Sequence, residues 1–394
     1  MKEKELTIGM FVDTFFPMTD GVAMVVDNYA KRLRKRARVI VFAPSIRGMK
    51  YDDSVFPYEV VRCKSLKLPF IDYSLPIPKM DLSFYKSLKK YHLDIVHIHS
   101  PFTIGEAGVK YAKKNKIPVV GTMHSQYKQD FLRAVRNEKL ANALLKKVVR
   151  VFNKCDACFT VNSEIARIYH DEYAYKAIPK IIPNATDMDL IIDSKSACDL
   201  INKRHNIKKK EKVLLFVGRI NKLKNVFFIV QALNELVKMI PDFKFKMLFI
   251  GTGQDEKELK NLVEKLGLNK KIIFCGKVTD RNLLASYYNR ADLFLFPSFY
   301  DTNSLVQLEA ASQKTPTLFL KGSATSATVT DNVNGFIEEN DATLYAKRII
   351  KILDDKKRYQ EVSENAYRDL YKNWDNVIDD VYSQYMKLIS KTNR

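Results

Sequence analysis

The feature that most constrains this chain is an alternation. Short, near-continuous apolar runs rich in Val, Ile and Phe recur along it, with helically spaced patterns between them. In the first half the runs are LTIGMFV, ARVIVFAP, DIVHIHS, IPVVGTM and ACFTVNS, separated by segments such as AMVVDNYAKRLRKR and TIGEAGVKYAKKNK. Runs that are apolar at nearly every position fit strands covered on both faces, the environment of a parallel sheet. A polar, lysine-rich stretch follows KIIPNATDMDL and lasts to about residue 211. The alternation then restarts with KVLLFVGRI, FKMLFIGTG, KIIFCGKV, ADLFLFPS and TPTLFLKG. Repeated strand–helix alternation implies an α/β fold with doubly wound sheets. The interruption divides it into two Rossmann-like domains with a boundary near residues 184–210, and 394 residues are enough for two cores. A last amphipathic pattern, NWDNVIDDVYSQYMKLIS, carries the only tryptophan, Trp374. In open α/β sheets ligands bind beyond the carboxyl ends of the strands. Two such sheets face to face would leave a cleft there, so the strand ends are where chemistry is expected.

Charge narrows the partners. A formal net charge of +21 calls for something acidic: nucleic acid, an anionic lipid surface or a phosphorylated substrate. Residues 31–38, KRLRKRAR, hold six basic side chains and no acid. Residues 131–154 read as one basic amphipathic helix with Lys139, Lys146, Arg150 and Lys154 on a stripe. No helix-turn-helix, zinc-finger or basic-aromatic motif can be placed, so nucleic acid is not an expected partner and an anionic membrane surface is. No run approaches 18 consecutive apolar residues, so no spanning segment is expected. The opening MKEKELTIGMFVDTFF reads as a first buried strand rather than a signal peptide, which predicts a cytoplasmic protein, peripheral on the inner face of the membrane. Five scattered cysteines give no disulfide framework. Cys155 and Cys158 form a CxxC without the second ligand pair that structural zinc needs, and read as buried where a helix meets a strand.

The strand ends carry several polar constellations. Gly21, in DTFFPMTDGVAMVV, precedes a helix where backbone can approach a ligand. His97, His99 and His124 fall at or near the ends of two strands. Arg219 and Lys224 follow a buried strand and Gly218, around a turn into a helix. Two cations there suit a diphosphate whose negative charge grows as it leaves. GTGQDE places Glu256 where a GxGxxG fingerprint needs glycine, which argues against a nicotinamide dehydrogenase. The Asp187-Met-Asp189 pair has metal-ligand chemistry but sits at the linker, and no metal is expected. FYDTNSLVQLEA sets Asp301 eight residues before Glu309. This is either an ordinary strand-to-helix turn or a polyol site, because a carboxylate can accept two hydrogen bonds from a sugar diol.

In this order the segments resemble glycosyltransferase family 4, retaining nucleotide-sugar-dependent enzymes with the two-Rossmann GT-B architecture. The resemblance covers nearly the whole chain. FPMTDGVAMVV looks like the family's N-terminal glycine loop, and VHIHSPFTIGEAG with IPVVGTMHSQY like its following strands. IIPNATDMD resembles the interdomain PNGxD with Ala185 in place of glycine. GRINKLKN is similar to the Arg/Lys diphosphate clamp, FPSFYDTNSLVQLEAASQKTP to the E-x7-E motif, and TDNVNGFI to its closing segment. The resemblance implies an acceptor-binding domain at residues 1–185, a nucleotide-sugar domain at 186–370, and a helix at 371–394 returning to the first domain. It gives catalytic roles to His124, beside the donor sugar, to Arg219 and Lys224 on the departing UDP, and to Asp301 on the sugar hydroxyls. Donor binding falls to Gly21, Gly218, Arg219, Lys224, Asp301, Asn303, Ser304, Leu305 and Glu309, the last on the ribose. No cofactor or metal is implied, UDP-sugar being the donor substrate. The chain departs from the family at Asp301, a methylene shorter than the usual Glu, and at Asn303-Ser304, where an aromatic-Gly pair is usual. A Cβ at Ser304 would crowd the phosphates if that position needed a positive φ. Diacylglycerol glucosyltransferases share the HIHSPFTIGEAG region and basic helices, which implies hexose transfer, glucose foremost, to a membrane lipid. A soluble or polyprenyl-linked glycan is the alternative acceptor.

Overall fold

The computed structural model describes residues 5–18, 20–46, 51–67 and 74–392. Thr19, within FPMTDGVAMVV, lies outside the described residues. The chain divides into two units, residues 1–184 with 374–394 and residues 185–373.

The strands of the first unit are β1 (Thr7–Phe11), β2 (Arg38–Pro44), β3 (Glu59–Cys63), β4 (Ser65–Lys67), β5 (Ser74–Pro76), β6 (Ile95–Ile98), β7 (Val119–Met123), β8 (Ala157–Thr160) and β9 (Lys180–Ile181). Seven of them form one parallel sheet in the order β3-β2-β1-β6-β7-β8-β9, while β4 and β5 make a separate antiparallel pair. The order reverses at β1, which lies between β2 and β6, with Gly9 opposite Ile40 and Val96. Apolar side chains cover both faces, as the unbroken runs require: Phe11 stacks on Phe42 at 4.4 Å, and Ile8, Met10, Val41 and Ile95 are fully buried. Each such side chain contributes about 1.5–3 kcal/mol by leaving water.

The second unit repeats the plan with β10 (Lys212–Val217), β11 (Phe245–Ile250), β12 (Ile272–Gly276), β13 (Leu293–Phe296), β14 (Thr317–Leu320) and β15 (Phe336–Glu338). They form a parallel sheet in the order β12-β11-β10-β13-β14-β15, so its switch point lies between β10 and β13. The ten apolar runs of the sequence are ten of these strands. The other five were not legible: in β3 the run EVVRC is broken by Glu59 and Arg62, and β4, β5, β9 and β15 span only two or three residues each.

Two expectations need correction. Residues 131–154 are not one helix: Tyr127–Val135 ends where Arg136 takes the left-handed conformation at φ 48°, and Glu138–Phe152 begins anew. Asn137 caps the new helix, its side chain accepting from the Leu140 N–H at 3.0 Å. Lys154 falls beyond the second helix and off the stripe, which Lys139, Lys146 and Arg150 keep with Lys147 added, all exposed. Nor is KRLRKRAR a free cationic patch. Lys31 pairs with Asp27 at 2.7 Å, Arg38 with Glu59 at 2.5 Å, Arg32 and Lys35 with Asp375 at 3.3 and 3.8 Å, and Arg36 with Asp379. Asp375 and Asp379 come from the C-terminal helix Trp374–Thr392, which packs on the Gly21–Leu33 helix. Trp374 meets Tyr29 edge to face at 5.8 Å, and the Arg36 guanidinium lies 5.5 Å from the Tyr382 ring centre.

Candidate active site

In the second unit, the turn leaving β10 carries Arg219 and Lys224, the two cations expected to form a clamp. Gly218 has φ 155° and donates its N–H to Ile250 O, and Ile220 donates to Thr252 O. The glycines of GTGQDE are explained here. A Cβ on Gly251, itself at φ 126°, would stand 1.9 Å from Gly218 O, and one on Gly253 would stand 2.0 Å from Ile220 O. They permit close backbone packing behind the clamp turn, which no side chain would allow. Asp255 adds a further brace by accepting from the Lys222 N–H at 2.8 Å. Asn221 caps the short turn Lys222–Lys224, and Asn225, in the left-handed region at φ 56°, donates to Pro297 O at 3.2 Å, tying the turn to the end of β13.

That tie brings Lys224 to Asp301. Their side chains form an ion pair, 18% and 13% exposed, and the Lys224 ammonium also lies 5.7 Å from the Tyr300 ring centre. Asp301 Oδ2 is buried with no hydrogen-bond partner among the described residues. A desolvated acceptor with no donor is costly unless a ligand supplies one. Arg219 is exposed, and no carboxylate among the described residues lies within ion-pair distance. Ser304 caps the helix Leu305–Ser312 from φ −76°, an extended conformation that a serine adopts without strain, so the condition for crowding is not met. Asn303 is buried in the same turn, and Leu305 opens the helix.

Glu309 lies deeper on that helix, 6% exposed. It accepts from Arg281 Nη1 at 2.7 Å and from the Tyr288 hydroxyl at 3.0 Å. Burial raises its pKa above the usual carboxylate value, and the Arg281 charge opposes that. Arg281 also reaches Asp187 at 3.1 Å, so Asp187 is an ion-pair partner, and the Asp189 side chain lies against Tyr371. Beside Arg281, the segment Asp187–Ile192 and the helices Ser194–Arg204 and Arg281–Arg290 enclose a cavity of about 600 Å³. Arg281 and Tyr288 escaped sequence reading because neither belongs to a motif. The signal available was only that a buried glutamate needs donors.

In the first unit, three histidines converge at the ends of β6 and β7. His97 and His99 are fully buried and His124 is 8% exposed. His97 Nδ1 lies 2.5 Å from the Tyr385 hydroxyl and its Nε2 2.6 Å from Thr122 Oγ1. His99 Nδ1 lies 3.1 Å from His124 Nε2, and the His97 and His99 rings lie against each other at 4.0 Å. Burial lowers the pKa of all three, His124 to about 4, so they are neutral at pH 7. Gly21 opens the Gly21–Leu33 helix, whose cap Asp20 accepts from Ala23 N–H at 2.8 Å. A Cβ on Gly21 would meet nothing within 4 Å, so packing does not explain the glycine. Among the described residues no helix is long and apolar enough to cross a membrane.

Comparison with known proteins agrees with this fold. Residues 19–190 match the model of Glycosyltransferase Family 4, and residues 199–369 that of Glycosyl transferases group 1. Alpha-monoglucosyldiacylglycerol synthase of Acholeplasma laidlawii is 28% identical over 382 residues, 92% of each chain. The enzyme of the same name from Streptococcus pneumoniae is 28% identical over 323 residues, 79% of this chain and 70% of its own. Among solved structures, HepE of Anabaena in complex with UDP superposes with a TM-score of 0.78 at 15% identity, over 97% of this chain and all of its own. With both halves matched in order and the GT-B fold shared, the chain belongs to the family 4 glycosyltransferases.

Proposed function

We propose that the protein is a retaining transferase that moves a hexose, glucose, from UDP-glucose to a membrane lipid such as diacylglycerol. The observation that carries the donor half is the strand-end pair Lys224–Asp301, on the same turn as exposed Arg219, which has no ion-pair partner among the described residues. An ammonium has three donor hydrogens, so Lys224 can keep Asp301 and still meet a phosphate oxygen. Arg219 and Lys224 then offset the charge that grows on UDP as the sugar–phosphate bond breaks, without a metal. Asp301 Oδ2 accepts a donor-sugar hydroxyl, Glu309 the ribose hydroxyls, and Gly218, Asn303, Ser304 and Leu305 bring backbone close to the phosphates. His124 stands beside the donor sugar, and Gly21 leaves room for backbone approach.

The acceptor half rests on the two diacylglycerol-acting relatives and on the exposed Lys139, Lys146, Lys147 and Arg150 of the Glu138–Phe152 helix, which have no ion-pair partner among the described residues. Each such charge adds about 1 kcal/mol of attraction near an anionic bilayer. We place the enzyme peripherally on the cytoplasmic leaflet. The test is transfer of labelled glucose from UDP-glucose into chloroform-soluble product, using phosphatidylglycerol vesicles that contain diacylglycerol, with EDTA present. Lipid-bound label is expected at an undiminished rate in EDTA. UDP release without lipid product, or label in a soluble or polyprenyl-linked glycan only, would contradict the lipid acceptor. Activity abolished by EDTA and restored by manganese would contradict the metal-free clamp.

A further inference from the structure

The two carboxylate oxygens of Glu309 are engaged separately. Oε1 accepts from Arg281 Nη1 at 2.7 Å, and Oε2 accepts from the Tyr288 hydroxyl at 3.0 Å. An ionised carboxylate has about four acceptor positions, two on each oxygen. One position on each oxygen is taken, so one on each is left. Two acceptors side by side match the two hydroxyl hydrogens of a vicinal diol.

Both donors are themselves fixed. They stand seven residues apart on the helix Arg281–Arg290, just under two turns, so one helix face offers both. Tyr288 is fully buried, its ring meets Phe294 edge to face at 5.6 Å, and its carbonyl accepts from Thr315 Oγ1 at 2.6 Å. Arg281 opens the helix, and its other terminal nitrogen, Nη2, reaches Asp187 at 3.1 Å. A guanidinium that swung away from Glu309 would break that second pair as well. Fixing the carboxylate has two effects. A glutamate side chain has several rotatable bonds, and freezing them before the ligand arrives removes that loss from the cost of binding. Burial by itself favours the protonated form of Glu309, whose O–H could no longer accept from both hydroxyls of a diol. The Arg281 charge and the two hydrogen bonds oppose that protonation.

We infer that Arg281 and Tyr288 are positioning residues for Glu309, holding its carboxylate in one orientation with an acceptor left on each oxygen for the ribose diol. Asp187 acts one step further out, as the anchor of Arg281. The inference rests on the reading of Glu309 as the ribose contact. Its consequence is specificity: a site built to bond two hydroxyls rejects a nucleotide that lacks them.

The test is calorimetric titration of UDP and of dideoxy-UDP, which lacks both ribose hydroxyls, into the full-length protein, read as the ratio of the two affinities. Wild type is expected to prefer UDP by about 100-fold, and Glu309→Gln by only a few-fold. Tyr288→Phe and Arg281→Met should each cut the preference by about tenfold, the order seen when a supporting partner of a binding group is lost. Asp187→Asn should cut it less, and Arg281→Lys, which keeps the charge and a donor, should recover most of it. Dideoxy-UDP should bind all these variants within about twofold of wild type, because it offers the carboxylate no hydroxyl. Wild-type preference in Tyr288→Phe or Arg281→Met, with preference lost in Glu309→Gln, would overturn that residue's role and leave Glu309 on the ribose. Affinity for both nucleotides lost together in a variant would make its residue structural and likewise overturn the role. Tighter UDP binding in Arg281→Met would make the guanidinium a competitor for the carboxylate, also against the inference. Wild-type preference in Glu309→Gln would remove Glu309 from the ribose, and the positioning roles with it.

Discussion

The two units are variations of one parallel α/β plan, and their strand ends are built from opposite materials. The first gathers three neutral histidines, sealed among Tyr29, Tyr385 and Phe159. The second gathers charges: the Lys224–Asp301 pair, the Arg281–Glu309–Asp187 chain and exposed Arg219. Buried neutral rings cost little to desolvate and hold hydrogen-bond direction, while buried charges cost several kcal/mol each unless paired. Under the proposed function, the charged strand ends would meet a dianionic leaving group and the neutral ones would orient a hydroxyl, which accounts for the contrast.

The largest expected effect breaks the charged side. Arg219→Ala should lower turnover by about 100-fold, the usual cost of losing one donor to transition-state charge. The thermal midpoint should barely move, because Arg219 makes no ion pair with a described residue and is exposed. Steady-state kinetics and a melting curve on the same variant check both halves. Near-normal turnover would remove Arg219 from the clamp.

The next effect sharpens the neutral side. A histidine with a depressed folded-state pKa gives stability that is present above its ordinary 6.5 and lost as pH falls through its folded value. For His124 that window runs from 6.5 down to about 4. At pH 5 the loss is about 2 kcal/mol for His124 alone, and His97 and His99 add to it in the same direction. Asp13, pushed up by burial to about 6, opposes this by taking up a proton in the folded state, but it is one group against three. In the second unit, Glu309 is raised by burial, so its contribution is full below the ordinary carboxylate pKa and declines as pH rises. Acid should therefore weaken the first unit more than the second, where one partly buried histidine, His205, is lowered by burial. Trp374, the single tryptophan, is 1% exposed in the first unit and reports on it alone. Urea unfolding followed by its fluorescence should shift to lower midpoint between pH 7 and pH 5 by more than the circular dichroism transition of the whole chain. Equal shifts would contradict the contrast.

The smallest effect concerns the surface. Changing Lys146 and Arg150 to Glu should weaken sedimentation with phosphatidylglycerol vesicles severalfold at low salt. Changing Arg32 and Arg36 to Glu should instead lower stability, because their partners Asp375 and Asp379 would become like-charged neighbours. Vesicle binding lost equally in both pairs of variants would restore the 31–38 cluster to the membrane face.

How much of this the sequence carried follows from the physics of each element. Strands buried on both faces announce themselves as unbroken apolar runs, so ten were legible, as was the two-part fold. The helix break at Arg136-Asn137 was written only in the capping chemistry of Asn137, which a 24-residue hydrophobic pattern outweighed. The local charge count of KRLRKRAR was correct, yet three of its cations, Arg32, Lys35 and Arg36, pair with Asp375 and Asp379, more than 300 positions along. The clamp cations and both acids were named from spacing and resemblance. Arg281 and Tyr288 were not given roles, because a residue that positions another is recognised only once its partner's surroundings are known.

The division of labour can be tested most directly by calorimetric titration of UDP into wild type, Glu309→Gln and His124→Asn. UDP should bind His124→Asn as it binds wild type, within about twofold, because His124 is placed beside the sugar and not the nucleotide. Glu309→Gln should bind about tenfold or more weakly, the order expected when a buried charged contact to ribose is lost. Unchanged affinity in Glu309→Gln with weakened affinity in His124→Asn would place the nucleotide on the other unit and contradict the account.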